Sequence, residues 1–332
     1  MSQVRIGIVS WNTADLLDRC LAALPAACEG LAYDVVVVDN HSADESVAVA
    51  TRHGATVVAN DDNRGYARAM NQALQLETEH PEPDVLIALN PDTDPAPGTL
   101  RTLVERLRAQ PIVGLVVPRL SNEDGSLQHS AYRFPTPVTT VLICLVPPKL
   151  QRGPLVRHWW LEGATPHDRT VDIDWAIGAV HVIRADALGE DLPYCERWFM
   201  YVEDVDLCWR LQQKGWRVRL EGDIEVTHVG NAAGAQAWGA GRTARWWAAT
   251  YDWVRFRRGE GSARRYATIN TIGVNGLLLA AKLRHKVQPH NQQVTANIAE
   301  YTAILPAHAD MMRHPASAHD PADSYPAGGI RP

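Results

Sequence analysis

Val35-Val-Val-Val38, closed by Asp39-Asn40, is the stretch from which the fold follows. Four consecutive β-branched residues leave no polar face, so the run reads as a strand buried on both sides of a parallel sheet. Working outward, Val4 to Val9 is a second β-rich run, ending at Ser10-Trp11-Asn12. Leu16, Leu17, Cys20, Leu21 and Leu24 then recur at helical spacing, with Asn12 or Thr13 as the cap. Ser42-Ala-Asp-Glu45 has the form of a capping box for the next helix. Ala55 to Ala59 is a further strand, Tyr66 to Leu76 a helix, and Val85 to Leu89 a strand. Leu100, Leu103, Val104 and Leu107 mark another helix before a strand over Ile112 to Val117. This alternation predicts an α/β fold, a doubly wound, mostly parallel Rossmann-like sheet with helices on both faces. Its ligands are expected off the carboxyl ends of the strands.

Downstream the pattern changes. Residues 118–172 carry Pro, Gly, Arg and His with little periodicity and read as a long excursion that covers substrate. Ile173 to Arg184 returns to strand character, and Val218 to Leu220 with Ile224 to His228 reads as a closing hairpin. Residues 244–285 are helical in pattern, and from Pro315 the composition is that of a disordered tail.

Composition narrows the function classes. The chain has 332 residues, 46% hydrophobic and 21% charged, which is ordinary for a globular protein. A net charge of -6 argues against a nucleic-acid partner, which needs clustered Lys and Arg. The five Cys (20, 28, 144, 195 and 208) contain no C-x-x-C pair and read as reduced core thiols of a cytoplasmic protein. With no signal peptide before Val4 and no apolar run long enough to span a bilayer, the expectation is a soluble or peripheral protein.

Polar residues gather at the predicted strand ends: Asp39-Asn40, Asn60 to Asn63, and Asn90-Pro-Asp-Thr-Asp94. The turn after the first strand, Ser10-Trp-Asn-Thr-Ala14, has no glycine, so a dinucleotide fold is not indicated, and no Walker loop is present. A bound diphosphate would then need a divalent cation held by carboxylates, for which Asp92 and its neighbours supply hard oxygen ligands. The same loop also reads as an ordinary Asp-Pro turn. Arg64 and Gly65 at a helix start suit a phosphate or sugar, or are a plain helix cap. In the second half, Trp198-Phe-Met-Tyr-Val-Glu-Asp-Val-Asp-Leu-Cys-Trp-Arg210 sets Glu203, Asp204 and Asp206 among aromatic residues. Near a helix start the first two are held ionised, as a general base requires, or are simply acidic caps. Alone, the segment leaves both open.

Taken in order, these motifs resemble the inverting family 2 glycosyltransferases, in particular their bacterial rhamnosyltransferase-like branch. The resemblance rests on Ile8-Val-Ser-Trp-Asn12, Val36-Val-Val-Asp-Asn40 with Ser42, Asn63-Arg-Gly-Tyr-Ala67 with Asn71, Leu89-Asn-Pro-Asp92, Gly178-Ala179, Phe199 to Arg210, and His228-Val-Gly230. It implies a GT-A fold, a nucleotide-diphosphate sugar donor (dTDP-, UDP- or GDP-linked) and a divalent cation, Mg2+ or Mn2+. Residues 1–117 would be the nucleotide-sugar-binding half and 118–240 the acceptor-binding and catalytic half of one domain. Residues 241–314 would be a helical extension and 315–332 the tail. Carried over by position, Ser10, Asn12, Asp39 and Asn40 would hold base and ribose, with Arg64, Gly65, Asn71 and Asn90 also at the donor. Asp92 would bind metal and donor, with Asp94 and His228 as further candidate ligands. Asp204 would be the catalytic base with Glu203 beside it, and Trp175, Gly178, Asp206 and Arg210 would shape the acceptor pocket. Arg210 is expected to pair with these carboxylates or reach the diphosphate. One departure stands out: the usual D-x-D is Asn90-Pro-Asp92 here, which removes a carboxylate.

The activity so implied is transfer of a sugar, rhamnose among the candidates, to a hydroxyl of a glycan or lipid-linked acceptor in cell-surface polysaccharide synthesis. A non-catalytic nucleotide-sugar-binding protein, a pyrophosphorylase and a hydrolase are the rivals. Trp246, Trp247, Trp253 and Phe256, interleaved with Arg245, Arg255, Arg257 and Arg258, suit peripheral contact with the inner face of a membrane through residues 245–258. Packing of the same tryptophans on a core is the preferred alternative.

Overall fold

The computed structural model describes residues 3–136, 169–230 and 242–313, and of Arg242 and 310–313 the backbone. Among these, 3–132 with 169–230 form one compact unit and 133–136 with 242–313 a second.

In the first unit, β1 (Gln3–Ser10), β2 (Tyr33–Asp39), β3 (Thr56–Ala59) and β4 (Pro83–Leu89) run parallel in the order β3-β2-β1-β4. The helices α1 (Ala14–Ala27), α2 (Ser46–Arg52), α3 (Tyr66–Gln75) and α4 (Thr99–Arg108) alternate with them. Alternation of side chains along β1 decides the layers. Val4, Ile6 and Ile8 join Leu17, Leu21 and Leu24 of α1 and Leu100, Leu103 and Val104 of α4 in one core, all nearly inaccessible. Gly7, pointing the other way, lies against Met70 and Leu74 of α3. Helices therefore cover both faces, and strand ends are left at one edge.

The sheet continues through β5 (Thr93–Pro95), β6 (Val113–Ser121), β11 (Val180–Arg184) and β12 (Arg217–His228), in the order β4-β11-β6-β12-β5. Short β7 (Leu127–Gln128) pairs β6 and β9 (Thr170–Ile173) pairs β12, while β8 (Ala131–Tyr132) and β10 (Trp175–Ala176) pair each other. Helices α5 (Ala185–Leu188) and α6 (Glu203–Gln213) complete the unit. β11 is antiparallel to both β4 and β6, so its first residues, not its last, lie beside the end of β4: Val180 is opposite Leu89. That reversal brings Gly178-Ala179 to the ligand edge.

Two local expectations are corrected. Residues 217–228 are no hairpin but a single twelve-residue strand, parallel to β6 and irregular between Glu221 and Glu225. The irregularity breaks the hydrophobic pattern as a turn does. The capping box is not formed either. Asp44, instead of Ser42, accepts from the N–H and hydroxyl of Ser46, and the Ser42 hydroxyl is taken by the N–H of Asn12. Cys20, Cys28 and Cys208 are buried free thiols, and burial pushes Cys20 up to about 12, so it is inert at neutral pH. Cys144, most of the 118–172 excursion and the 315–332 tail lie outside the described residues.

The second unit holds α7 (Arg242–Arg258), α8 (Glu260–Val287) and α9 (Gln292–Arg313), with the α7–α8 break at Gly259, whose φ is 81°. Most aromatic residues of α7 pack within this unit, in line with the packing alternative, while Phe256 stays 49% exposed. Trp253 is fully buried and stacked on Phe134, and Trp247 and Tyr251 cluster with Tyr266 of α8 and His308 of α9. The Tyr251 hydroxyl accepts from the Asn270 amide at 2.8 Å and lies 2.6 Å from His308 Nδ1. Burial lowers His308 to about 4, so the ring stays neutral and accepts from the tyrosine.

Candidate functional site

The strand-end residues do different work from one another. Ser10 is fully buried, its hydroxyl bonded to Thr13 at 2.9 Å and Ser46 at 3.0 Å, so it ties the starts of α1 and α2 together. Asn12, in the left-handed region at φ 54°, accepts from the Ala43 N–H and fixes the turn after β2. Asn40 is fully committed. Its oxygen accepts from Arg64 N and Asn60 Nδ2, and its amide donates to Asn63 Oδ1 and the Gly65 carbonyl. These four bonds make it the scaffold of the 60–65 loop. Asp39 differs: Oδ2 accepts from Ser42 N at 3.0 Å, whereas Oδ1 is buried and has no hydrogen-bond partner among the described residues. A buried acceptor in that state costs free energy unless something donates to it.

Gly65 and Asn71 join the two halves of the sheet. Tyr66 N donates to the Phe199 carbonyl at 2.8 Å, and a Cβ on Gly65 would stand 2.5 Å from that oxygen. With φ at 81° the position tolerates only glycine. Gly65 is thus required by Phe199, where a donor contact was expected. The Asn71 amide is likewise spent, accepting from and donating to the Tyr194 backbone at 2.9 and 2.8 Å. Arg64 pairs with Asp62 at 2.9 Å on the surface. Gly65→Ala is expected to destabilise the protein by roughly 2–5 kcal/mol, combining backbone strain with overpacking. An unchanged urea midpoint would refute this.

At the end of β4, Asn90 N donates to the Ala179 carbonyl at 2.9 Å, and the following turn buries Asp92 to 7% exposure. His228 Nε2 lies 3.1 Å from Asp92 Oδ1. Its other ring nitrogen is 2.5 Å from Gln128 Oε1, and Gln128 Nε2 donates to Asn122 and to the His228 carbonyl. This arrangement makes Oε1 the acceptor and Nδ1 of His228 the donor, and turns Nε2 to the Asp92 carboxylate. Gln128 was not foreseen from sequence, where nothing sets it apart. Asp94, within β5, is half exposed and lies 3.7 Å from Arg19, so its carboxylate has a surface partner where Asp92 is buried. No cluster of three or more His, Cys, Asp or Glu able to hold a metal occurs among the described residues.

The acidic turn approaches the same edge. Tyr201 and Val202 are both left-handed, at φ 72° and 58°, and for the β-branched Val202 this is strained backbone. The strain starts α6 abruptly and aims its first residues at the sheet. Asp204 accepts from Val205 N at 2.7 Å and from Gly178 N at 3.3 Å. Burial pushes Asp204 up to about 6 against the pull of these backbone donors. Glu203 is driven well above the usual carboxylate range, by burial and then by the charge of Asp204. One proton is thus shared by the pair near neutral pH, with Glu203 keeping it.

Behind this pair stand Tyr66, Tyr194 and His181, which the sequence reading did not include. Tyr66 OH donates to the Gly178 carbonyl at 3.3 Å, Tyr194 OH lies 3.1 Å from His181 Nδ1, and His181 Nε2 lies 3.2 Å from the Ala176 carbonyl. Burial lowers His181 to about 4, so the neutral ring donates to Ala176 and accepts from Tyr194. Together they brace the 176–178 segment that meets Asp204. The Tyr66 hydroxyl is raised by burial first and then by the charges of Glu203, Asp204 and Asp92. Trp175 stacks on Tyr132 with ring centroids 4.6 Å apart. Asp206 is fully buried and paired to Arg210 at 2.9 Å, and Arg210 also donates to the carbonyls of Leu192 and Pro193. Of the two roles expected for Arg210, the structure assigns it the carboxylate.

The mannosyltransferase PcManGT from Pyrobaculum calidifontis, solved in complex with GDP-Man and Mn2+, has a similar fold. Its TM-score is 0.56 at 16% identity, over 93% of this chain and 87% of that one. The fold is therefore that of a GT-A glycosyltransferase. The sequence model of Glycosyl transferase family 2 matches residues 6–163. The N-acetylglucosaminyl-diphospho-decaprenol L-rhamnosyltransferase of Mycobacterium tuberculosis is 30% identical over 229 residues, 66% of this chain and 74% of the relative. The low-salt glycan biosynthesis hexosyltransferase Agl10 of Haloferax volcanii is 23% identical over 217 residues, 64% of this chain and 63% of the relative. The chain belongs to the family 2 glycosyltransferases and is rhamnosyltransferase-like.

Proposed function

We propose that this protein is an inverting, metal-assisted transferase that moves a sugar from a nucleotide diphosphate to a hydroxyl of a lipid-linked acceptor. Rhamnose on an N-acetylglucosaminyl-diphospho-polyprenol is the favoured pair, by similarity to the mycobacterial relative. The observation that carries the reading is the half-buried Asp204, bonded to Gly178 beside the end of β4 that carries Asp92. Asp39 Oδ1 suits an N–H of the nucleotide base. Asp92 and His228 would hold the cation, whose remaining ligands would be water and diphosphate oxygens, and whose charge would stabilise the departing phosphate. With carboxylate and imidazole as the protein donors, Mn2+ fits better than Mg2+.

Asp204 takes the proton of the acceptor hydroxyl as that oxygen bonds to the anomeric carbon. The bond from that carbon to the diphosphate breaks on the opposite face, and its electron pair leaves with the phosphate. Glu203, kept protonated, adds no second negative charge beside the incoming oxygen.

Because Asp204 works as the ionised base, kcat/KM is expected to fall ~tenfold per pH unit on the acid side. The midpoint should lie near the raised value of about 6. An acid limb centred at the ordinary carboxylate value would remove burial as the tuning force. The activity itself is tested by nucleoside diphosphate release from a panel of nucleotide sugars. Release that requires acceptor supports transfer; release without acceptor indicates a hydrolase, and none with any donor a binding protein.

A further inference from the structure

Helix α8 carries two faces of different character. Its inward side, Ala263, Tyr266, Ala267, Asn270, Val274, Leu278 and Ala281, is buried within the second unit. Opposite, Ile272, Leu279, Leu283 and Val287 are 60%, 61%, 54% and 81% exposed. Their spacing of seven, four and four places them on one stripe. They make up half of the large apolar side chains exposed among the described residues. Lys282 and Lys286, also exposed, flank the stripe, and Arg265 extends it one turn before Thr268. The helix has one acid, Glu260 in its first turn, and that is held by Arg264 at 3.0 Å.

We infer that this face of α8 lies on an anionic lipid surface. An apolar stripe bordered by cations, with no acid on it, matches an interfacial helix: the leucines enter the acyl boundary and the lysines reach phosphate. No helix among the described residues is long and apolar enough to cross a membrane, so α8 lies along the surface. A second copy of the chain fits the face poorly. A parallel pair sets lysine beside lysine, and an antiparallel pair sets Lys286 towards Arg265, so like charges meet either way. The inference goes beyond the transfer reaction and does not depend on which sugar or acceptor is used.

The test is co-sedimentation of the full chain, without donor or acceptor, with phosphatidylcholine vesicles that do or do not contain phosphatidylglycerol. The protein should pellet only with the anionic vesicles, and less so in high salt. Leu279→Gln with Leu283→Gln should lower the partition coefficient by about tenfold for each leucine, and Lys282→Gln with Lys286→Gln by about fivefold for each lysine. All four sites are exposed, so thermal unfolding and transfer to a water-soluble acceptor should not change. Wild-type protein left in the supernatant, or undiminished binding by the leucine variant, overturns the inference. So does light scattering that shows a dimer which the leucine variant dissociates, since the face would then be a self-interface. Loss of transferase activity with vesicle binding intact would bear on the reaction and not on this surface.

Discussion

Asp204→Asn should lower turnover by at least ~10²–10⁴-fold, the usual worth of general-base assistance. Asparagine is nearly isosteric and keeps an oxygen to accept from Gly178 N and Val205 N, so α6 should start where it does now. Donor affinity should be unchanged, because the carboxylate acts on the acceptor. Stability offers a second reading of the same variant. Asp204 is raised in the folded protein, so its unfavourable contribution appears as pH rises through about 6 and is absent below the unfolded value. The variant should therefore melt higher than the wild type above that pH and the same well below it. A base held against its own solvation costs stability where it is active. Turnover within a few-fold of wild type would exclude Asp204 from the chemistry, and a lower melting temperature at neutral pH would show that its charge is favourably paired.

Asp92→Ala is expected to abolish the metal-dependent part of donor binding, a loss of at least ~10²-fold, larger than the ~10–100-fold typical for groups behind the ligands. Two controls follow from the geometry. Asp94→Ala should be neutral, since that side chain is turned to Arg19 and solvent. Gln128→Leu should fall between, because it frees the His228 ring to adopt the other tautomer without removing a ligand. Calorimetric titration of donor with Mn2+ and with chelator gives all three. If wild-type affinity is equal in both, the cation has no place in the site.

What the sequence leaves unread is the set of side chains whose partners are distant along the chain. For Ser10, Asn40 and Asn71 the family resemblance implies a place at the donor. Each instead has its polar atoms consumed by the scaffold. Gly65 was expected to let a ligand approach and instead lets Phe199 approach. His181 had a signal that went unused, an imidazole inside the apolar strand Val180–Arg184. Gln128 had none, since glutamine in a short strand is unremarked until its bond to His228 is seen.

Local sequence was enough for the α/β alternation, because period and burial of each strand are properties of neighbouring residues, as in Val35 to Val38. It was also enough to mark Asp39 and Asp92 as acids at strand ends and Asp204 as an acid set among aromatic residues. Tertiary structure decided which of the marked residues share one edge. The reversal of β11 sets Gly178-Ala179 beside Asn90, and strained Tyr201-Val202 aims Asp204 at Gly178. Strand direction and a left-handed turn are set by packing across the whole sheet, and no window of the chain contains that information.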